Sequence, residues 1–304
     1  MEKIGLVTIT YNSADVLKGF LDSTFKQSFQ NFIIYIIDNN SQDDTVSIIE
    51  KDKDERIVLI KNSENVGVAK ANNQGIKLAL KDDCSQVLIV NNDIEFEEQL
   101  FNKMLNIQKE NNCSLVVPKM MYFDNPNYIW YAGSDFIKSK GYLPIHKGIR
   151  KKDNGQFDGV FQVEYAPTCC LLVKKQVFED IGFMDEKYFV YFDDTDFAYR
   201  IWKDQRHKMI YLPVTKIFHK VGSLTNSFDK SAKQIYRGDF FLKQNTKNHV
   251  YFLRKIGTLF AFLFIMWLFL KNNLKILIDP QLRKNFSTCK LVNRAYFKGL
   301  FMRL

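Results

Sequence analysis

Short apolar runs alternate with stretches of helical periodicity through residues 4–91, and this alternation constrains the fold more than any other feature of the chain. Residues 4–10, 32–37, 56–61 and 86–91 are apolar and rich in β-branched side chains, as buried strands are. Between them, 14–25 and 68–80 carry apolar residues at helical spacing, and Ser41 or Asp43 is placed to cap a helix running to about 49. Apolar strands separated by helices predict an α/β domain with a mainly parallel sheet covered on both faces. Ligands of such sheets gather at the carboxyl ends of the strands. The polar motifs fall at those ends: Thr10-Tyr11-Asn12, Asp38-Asn39-Asn40-Ser41 and Asn91-Asn92-Asp93.

From about 118 to 165 the periodicity fades into aromatic, glycine and basic residues, which predicts loops and short antiparallel strands. Strand and helix patterns return at 164–174, 175–181, 194–203 and 209–218. Five cysteines, an odd count without a C-x-x-C pair, argue against a disulfide framework or structural zinc and favour a reducing compartment. Residues 1–12 lack the basic and long apolar regions of a secretory signal, so a cytoplasmic protein is expected.

The net charge of +9 is unevenly distributed. Residues 1–230 carry 29 Lys/Arg against 32 Asp/Glu, whereas 231–304 carry 14 against 2, a net of +12. The expected organisation is therefore a catalytic domain over 1–230 and a helical, basic tail over 231–304. The first divides into two halves, 1–100 and 101–230. The tail holds an uncharged apolar run at 256–270. As a helix it spans about 22 Å, short of the ~30 Å hydrocarbon core of a bilayer. Basic flanks around such a run predict a helix lying on the inner face of the cell membrane, held also by anionic lipid. The same face would serve a buried helix or a homodimer through the C-terminal helices. Nucleic acid is not an expected partner, because the tail interrupts its basic residues with apolar ones and lacks an aromatic nucleic-acid-binding pattern.

Three groups of residues are candidates for chemistry. Asp93 follows the buried run Leu88-Ile89-Val90, where a carboxylate has no packing role. Asp193, Asp194 and Asp196 put three acids within four residues, which raises at least one pKa toward the range of a base working near neutrality. Acids at a helix N-terminus also serve as caps. His219, at the end of an apolar run, would complete a Mg²⁺ or Mn²⁺ site with an upstream Asp, phosphate oxygens and water. In addition, small residues at 67, 69, 71 and 75 leave room for a flat ligand close to backbone, or for tight helix–sheet packing.

Taken in order, VTITYN (7–12), IDNNSQDDT (37–45), NVGVAKANNQG (65–75), IVNND (89–93), the segment 166–200 and HKVGS (219–223) resemble the family 2 inverting glycosyltransferases of GT-A fold, especially the rhamnosyltransferase-like branch. The resemblance spans about 1–225 and implies a Rossmann-like sheet flanked by helices, with 1–100 the nucleotide-sugar half and 101–230 the acceptor and catalytic half. It also implies transfer of a sugar from a nucleoside-diphosphate donor, dTDP-rhamnose or a UDP-hexose, to a saccharide hydroxyl. With the basic tail, it suggests a polyprenyl-linked acceptor in cell-surface polysaccharide synthesis. Thr10 and Tyr11, with Asn12, would line the nucleobase pocket, and Asp38 and Asn39 would bond the base edge. Gly67, Ala71 and Asn73 would follow the ribose and diphosphate. Asn91-Asn92-Asp93 stands where the family has its D-x-D-like element, so Asp93 alone supplies the metal carboxylate. Where the family shows E-D, this chain has Asp193-Asp194, and the second acid is the base by resemblance. Trp130 and Tyr131 are acceptor-side candidates because aromatic faces stack on sugars. The Q-x-x-R-W motif of processive synthases is missing, and so is the glycine-rich basic signature of nucleotidyltransferases, the alternative metal-dependent transferase. A non-catalytic binding protein would not need both Asp93 and the acids at 193–196.

Overall fold

A computed structural model of the chain describes residues 2–221, 238–278 and 286–304. Strand β1 (Ile4–Thr10) runs parallel to β2 (Phe32–Asp38), and β3 (Ile57–Lys61) extends the sheet beyond β2. On its other side β1 pairs in parallel with β4 (Gln86–Val90). These strands are joined through α1 (Ala14–Phe25), α2 (Thr45–Lys51) and α3 (Val68–Lys81). Leu17, Phe20 and Leu21 of α1 are buried, each contributing roughly 1.5–3 kcal/mol of apolar burial. Gly75 lets α3 sit directly on β1, since a Cβ there would lie 2.5 Å from Val7 Cγ1. At this position the small residue serves helix–sheet packing.

The second half continues the sheet through β5 (Ile94–Phe96), α4 (Leu100–Glu110) and β6 (Leu115–Tyr122). Short strands follow: β7 (Ile129–Tyr131), the separate hairpin β8 (Ser134–Ile137) with β9 (Leu143–His146), and β10 (Phe161–Gln162). Then come β11 (Cys170–Lys174), α5 (Lys175–Ile181), α6 (Asp193–Asp204) and β12 (Met209–His219). The strand order is β10-β12-β6-β11-β4-β1-β2-β3. β11 is inserted antiparallel to both β4 and β6, so the sheet is mixed, with parallel pairing in β4-β1-β2-β3 on one side of β11 and in β6-β12 on the other. The strand expected over 164–174 begins only at Cys170, because Tyr165 leaves the sheet toward the site described below.

The basic segment is helical: α7 (Asp239–Ile256), α8 (Leu259–Ile278) and α9 (Phe286–Phe301). Gly257, at φ +68°, ends α7, so the apolar run 256–270 straddles a helix break. α7 does not stand apart from the catalytic body: its Val250, Tyr251, Phe252 and Leu253 share one apolar cluster with Tyr142, Tyr188 and Phe192. The charge switch near residue 230 lies outside the described residues, as do Gly222 and Ser223 of the last matching motif.

Candidate active site

Tyr191 (φ +64°) and Phe192 (φ +71°) are consecutive non-glycine residues in the left-handed region, a costly conformation that turns the chain sharply into α6. Asp193 and Asp194 leave this elbow together. Asp193 is buried, and burial together with the neighbouring Asp194 charge holds its carboxyl well above the usual carboxylate range. Asp194 is half-buried. Its Oδ2 accepts the Tyr165 hydroxyl at 2.7 Å, and its Oδ1 accepts the Thr195 N–H at 2.6 Å and hydroxyl at 3.1 Å. Burial raises its pKa, and these donors act in the opposite direction. Asp196, the third acid of the cluster, is held by two cations. Arg200 Nε lies 2.9 Å from its Oδ2 and Lys255 Nζ 2.6 Å from its Oδ1, so it fastens α6 to α7.

Asp93 and His219 meet as expected. His219 is in register with Ile94 across the β12–β5 pair, and its Nε2 lies 3.3 Å from Asp93 Oδ1. Both side chains are buried, and His219 Nδ1 and both amide atoms of Asn92 have no hydrogen-bond partner among the described residues. One carboxylate and one imidazole form a hard, incomplete donor set, which fits a cation whose remaining ligands are diphosphate oxygens and water. Among the described residues no group of three or more His, Cys, Asp or Glu is assembled for a metal.

An aromatic chain links the two acidic centres. Trp130 packs edge-on against His219 (4.6 Å) and His146 (4.7 Å), and His146 stacks on Tyr165 (6.0 Å), which holds Asp194. Burial pushes the His146 pKa down to about 4, so it is neutral near pH 7. Cys169 accepts the Asn91 N–H on its carbonyl at 2.9 Å, and burial, then the charges of Asp93 and Asp194, push its thiol well above the usual value. Tyr131 is fully buried and donates its hydroxyl to the Tyr165 carbonyl at 2.7 Å. It is therefore a support for Tyr165, not an acceptor-stacking face. Trp130 remains partly exposed.

The β1–β2 register places Thr10 opposite Asp38, and Thr10 Oγ1 donates to Asp38 Oδ1 at 2.8 Å. Ser41 adds its N–H to Oδ2 at 2.9 Å. Asn39 accepts from Asn62 at 3.0 Å, while Tyr11 beside it is 44% exposed and free to cover a ligand. Asn12, at φ +51°, accepts the Gln42 N–H at 2.8 Å and ties the first two strand-end loops together. Gly67 (φ +86°) approaches Phe189 so closely that a Cβ would lie 2.5 Å from its carbonyl oxygen. Ala71 is fully buried. Asn73 bonds Met184 (O at 2.9 Å, N at 3.1 Å) and Glu186 (3.0 Å), and so anchors the segment leading to the elbow. Tyr165, His146 and Asn62 were not among the sequence candidates. Only the aromatic preceding Ala166-Pro167 offered a signal for the first of them.

The family model described as "Glycosyl transferase family 2" matches residues 6–182. The chain belongs to that family. Among curated relatives, the low-salt glycan biosynthesis hexosyltransferase Agl10 of Haloferax volcanii is 24% identical over 66% of this chain and 62% of its own length. The dTDP-rhamnosyl transferase RfbF of Shigella flexneri is 26% identical over 75% of this chain and 70% of its own. The UDP-Glc:alpha-D-GlcNAc-diphosphoundecaprenol beta-1,3-glucosyltransferase WfaP of Escherichia coli is 39% identical over 26% of this chain and 32% of its own. The chain thus spans less than two thirds of the length of Agl10 and of WfaP. Among solved structures, S. aureus TarS superposes with a TM-score of 0.56 at 15% identity, over 83% of this chain and 65% of that one. The mannosyltransferase PcManGT from Pyrobaculum calidifontis, solved with GDP-Man and Mn²⁺, gives 0.57 at 14% identity over 98% and 87%. The family 2 glycosyltransferase fold found here is the GT-A fold, a mostly parallel sheet between helices with C-terminal helices added.

Proposed function

We propose that this family 2 chain is an inverting glycosyltransferase that moves a sugar from a nucleoside diphosphate onto a hydroxyl of a polyprenyl-linked saccharide. The observation that carries the reading is the run of packed rings, Tyr165, His146, Trp130 and His219, that joins Asp194 at one end to Asp93 at the other. One carboxylate is held half-buried by hydroxyl and amide donors, and the other is paired with His219. In a single displacement the acceptor oxygen bonds the anomeric carbon, the bond to the diphosphate breaks, and Asp194 takes the acceptor proton. No covalent enzyme intermediate is required. Asp93 and His219 would hold a divalent cation, Mn²⁺ or Mg²⁺, which supplies compensation for charge on the departing diphosphate. Thr10, Tyr11, Asp38 and Asn39 line the nucleobase end, with Gly67 where backbone must come close.

The donor class, dTDP-rhamnose or a UDP-hexose, is supported by the names of RfbF and WfaP. The lipid-linked acceptor is supported by the diphosphoundecaprenol substrate in WfaP's name and by α8. On α8, Ala261, Phe264, Ile265 and Leu268 face inward, while Leu259, Phe262, Leu263, Met266, Trp267 and Leu270 are exposed. Among the described residues, no helix is long and apolar enough to cross a membrane. An interfacial position at the inner membrane face suits such a helix beside exposed Lys271, Lys290, Arg294 and Lys298. Pairing two copies through the same face would instead bring two +12 segments together. Donor hydrolysis over a panel of UDP-, dTDP- and GDP-sugars with Mn²⁺ tests the reading; no turnover or protection with any donor would remove it.

A further inference from the structure

α7 supports the elbow residue by residue. Asn248 is fully buried, and its Nδ2 donates to the carbonyls of Val190 (2.9 Å) and Tyr191 (2.8 Å). Two carbonyls at hydrogen-bond distance fix which end of the amide is the nitrogen. Its Oδ1 is buried without a hydrogen-bond partner among the described residues, a cost that an apolar side chain would avoid. What the side chain supplies here is its N–H groups. About two turns earlier on α7, Phe241 meets Tyr191 edge-on at 5.0 Å, and the adjacent His249 stacks on Phe192 at 5.3 Å while bonding Gly141 O at 2.9 Å. Lys255 reaches past them to Asp196 and Asp185, at 2.6 and 2.8 Å.

These contacts converge on the two left-handed residues that deliver the acidic pair. A backbone held in that region by non-glycine residues persists only when its surroundings over-determine it. We propose that Asn248 is a positioning residue for the base, and that α7 is a working part of the catalytic unit and not a detachable anchor. The proposal rests on the reading of Asp194 as the base. The titratable groups facing the elbow are Tyr165 on Asp194, Lys255 and Arg200 on Asp196, and His249, which burial pushes down to about 4.

The test uses the full chain, Mn²⁺, and whichever of UDP-glucose and dTDP-rhamnose the wild type hydrolyses. Asn248→Leu should lower kcat about 10-fold or more while donor KM stays within about 2-fold. Loosening the elbow admits water to the Asp193–Asp194 pair and relieves its desolvation, so the acidic limb of the kcat–pH profile should move to lower pH. If Asn248→Leu does not fold, Asn248→Asp, which keeps the size and loses the donor, is read in its place. Wild-type kcat and pH profile in the folded variant would overturn the proposal. So would a loss of kcat matched by an equal loss of UDP affinity, the mark of general loosening. Asp194→Asn, measured beside it, separates the two claims: full turnover there removes the base itself, whereas a dead Asp194→Asn with a wild-type Asn248→Leu removes only the positioning role.

Discussion

Tyr165 donates its hydroxyl to Asp194 Oδ2 across 2.7 Å, while its own carbonyl accepts the buried Tyr131 hydroxyl at the same distance. The two bonds make a rigid strut between the sheet and the elbow. A donor to the charged carboxylate favours ionisation, so Tyr165→Phe should raise the Asp194 pKa further. The acidic limb of the kcat–pH profile should then shift to higher pH, with a loss at pH 7 of roughly 3- to 30-fold. An unchanged profile would mean that Tyr165 only packs.

Asp194→Asn keeps the shape and the contacts to Thr195 but cannot accept a proton. We expect kcat to fall on the order of 10²–10⁴-fold with UDP or dTDP binding largely intact, measured by titration calorimetry. Near-wild-type turnover would pass the role to Asp193, since Asp196 is held between Arg200 and Lys255.

At the other centre, excess EDTA should abolish transfer and Mn²⁺ or Mg²⁺ should restore it. Asp93→Ala should weaken metal-dependent nucleoside diphosphate binding by roughly 10-fold or more, whereas binding without metal changes little. Full activity in EDTA would take both Asp93 and His219 out of the ligand set.

How legible all this was in the sequence depended on whether neighbours in space were also neighbours in the chain. β1, β2 and β4 are buried on both faces and read as unbroken apolar runs. β6 did not, because it contains Pro118 and Lys119. Lys119 is nonetheless fully buried, since Asp153 and Asp158 close on it at 3.2 and 2.5 Å from a loop more than thirty residues away. Asp93 and the 193–194 pair stood out because carboxylates at strand ends and in clusters have few packing uses. The partners of Asn73 and Asp196 were not legible, because Met184, Glu186, Arg200 and Lys255 reach them from other turns and other elements. The left-handed pair Tyr191–Phe192 had no signal at all, since neither residue type favours that conformation and its support comes from Asn248 on α7.

The buried acid at 193 should cost the fold stability. Its pKa is raised in the folded state, so the native protein holds this proton more tightly than the unfolded chain does. Stability contributed at low pH is lost as pH rises from the ordinary value of 3.8 through the raised one. Asp193→Asn should therefore raise Tm at pH 8, by roughly 2–4 °C for each kcal/mol relieved. The gain should shrink to nothing below pH 3.8, where both states are protonated. A gain that is the same at every pH would point to packing instead of charge.

Deleting 231–304 is a poor test of membrane attachment, because α7 carries Asn248 and Lys255 into the elbow. Point charges on the outer face of α8 avoid that difficulty. Phe262 and Leu270 are 58% and 59% exposed and lie outside the buried stripe of Ala261, Ile265 and Leu268, so Phe262→Asp with Leu270→Asp should leave the fold and donor hydrolysis unchanged. Exposed Lys271, Lys290, Arg294 and Lys298 can each contribute about 1 kcal/mol beside an anionic surface, an attraction that salt screens over about 8–10 Å. The wild type should co-sediment with phosphatidylglycerol vesicles and not with phosphatidylcholine vesicles, and should be released by 0.5 M salt, while the double variant stays in the supernatant. If both proteins bind equally, α8 is not the contact. If the wild type stays in solution and the double variant changes a dimer to a monomer in light scattering, the apolar face joins two copies.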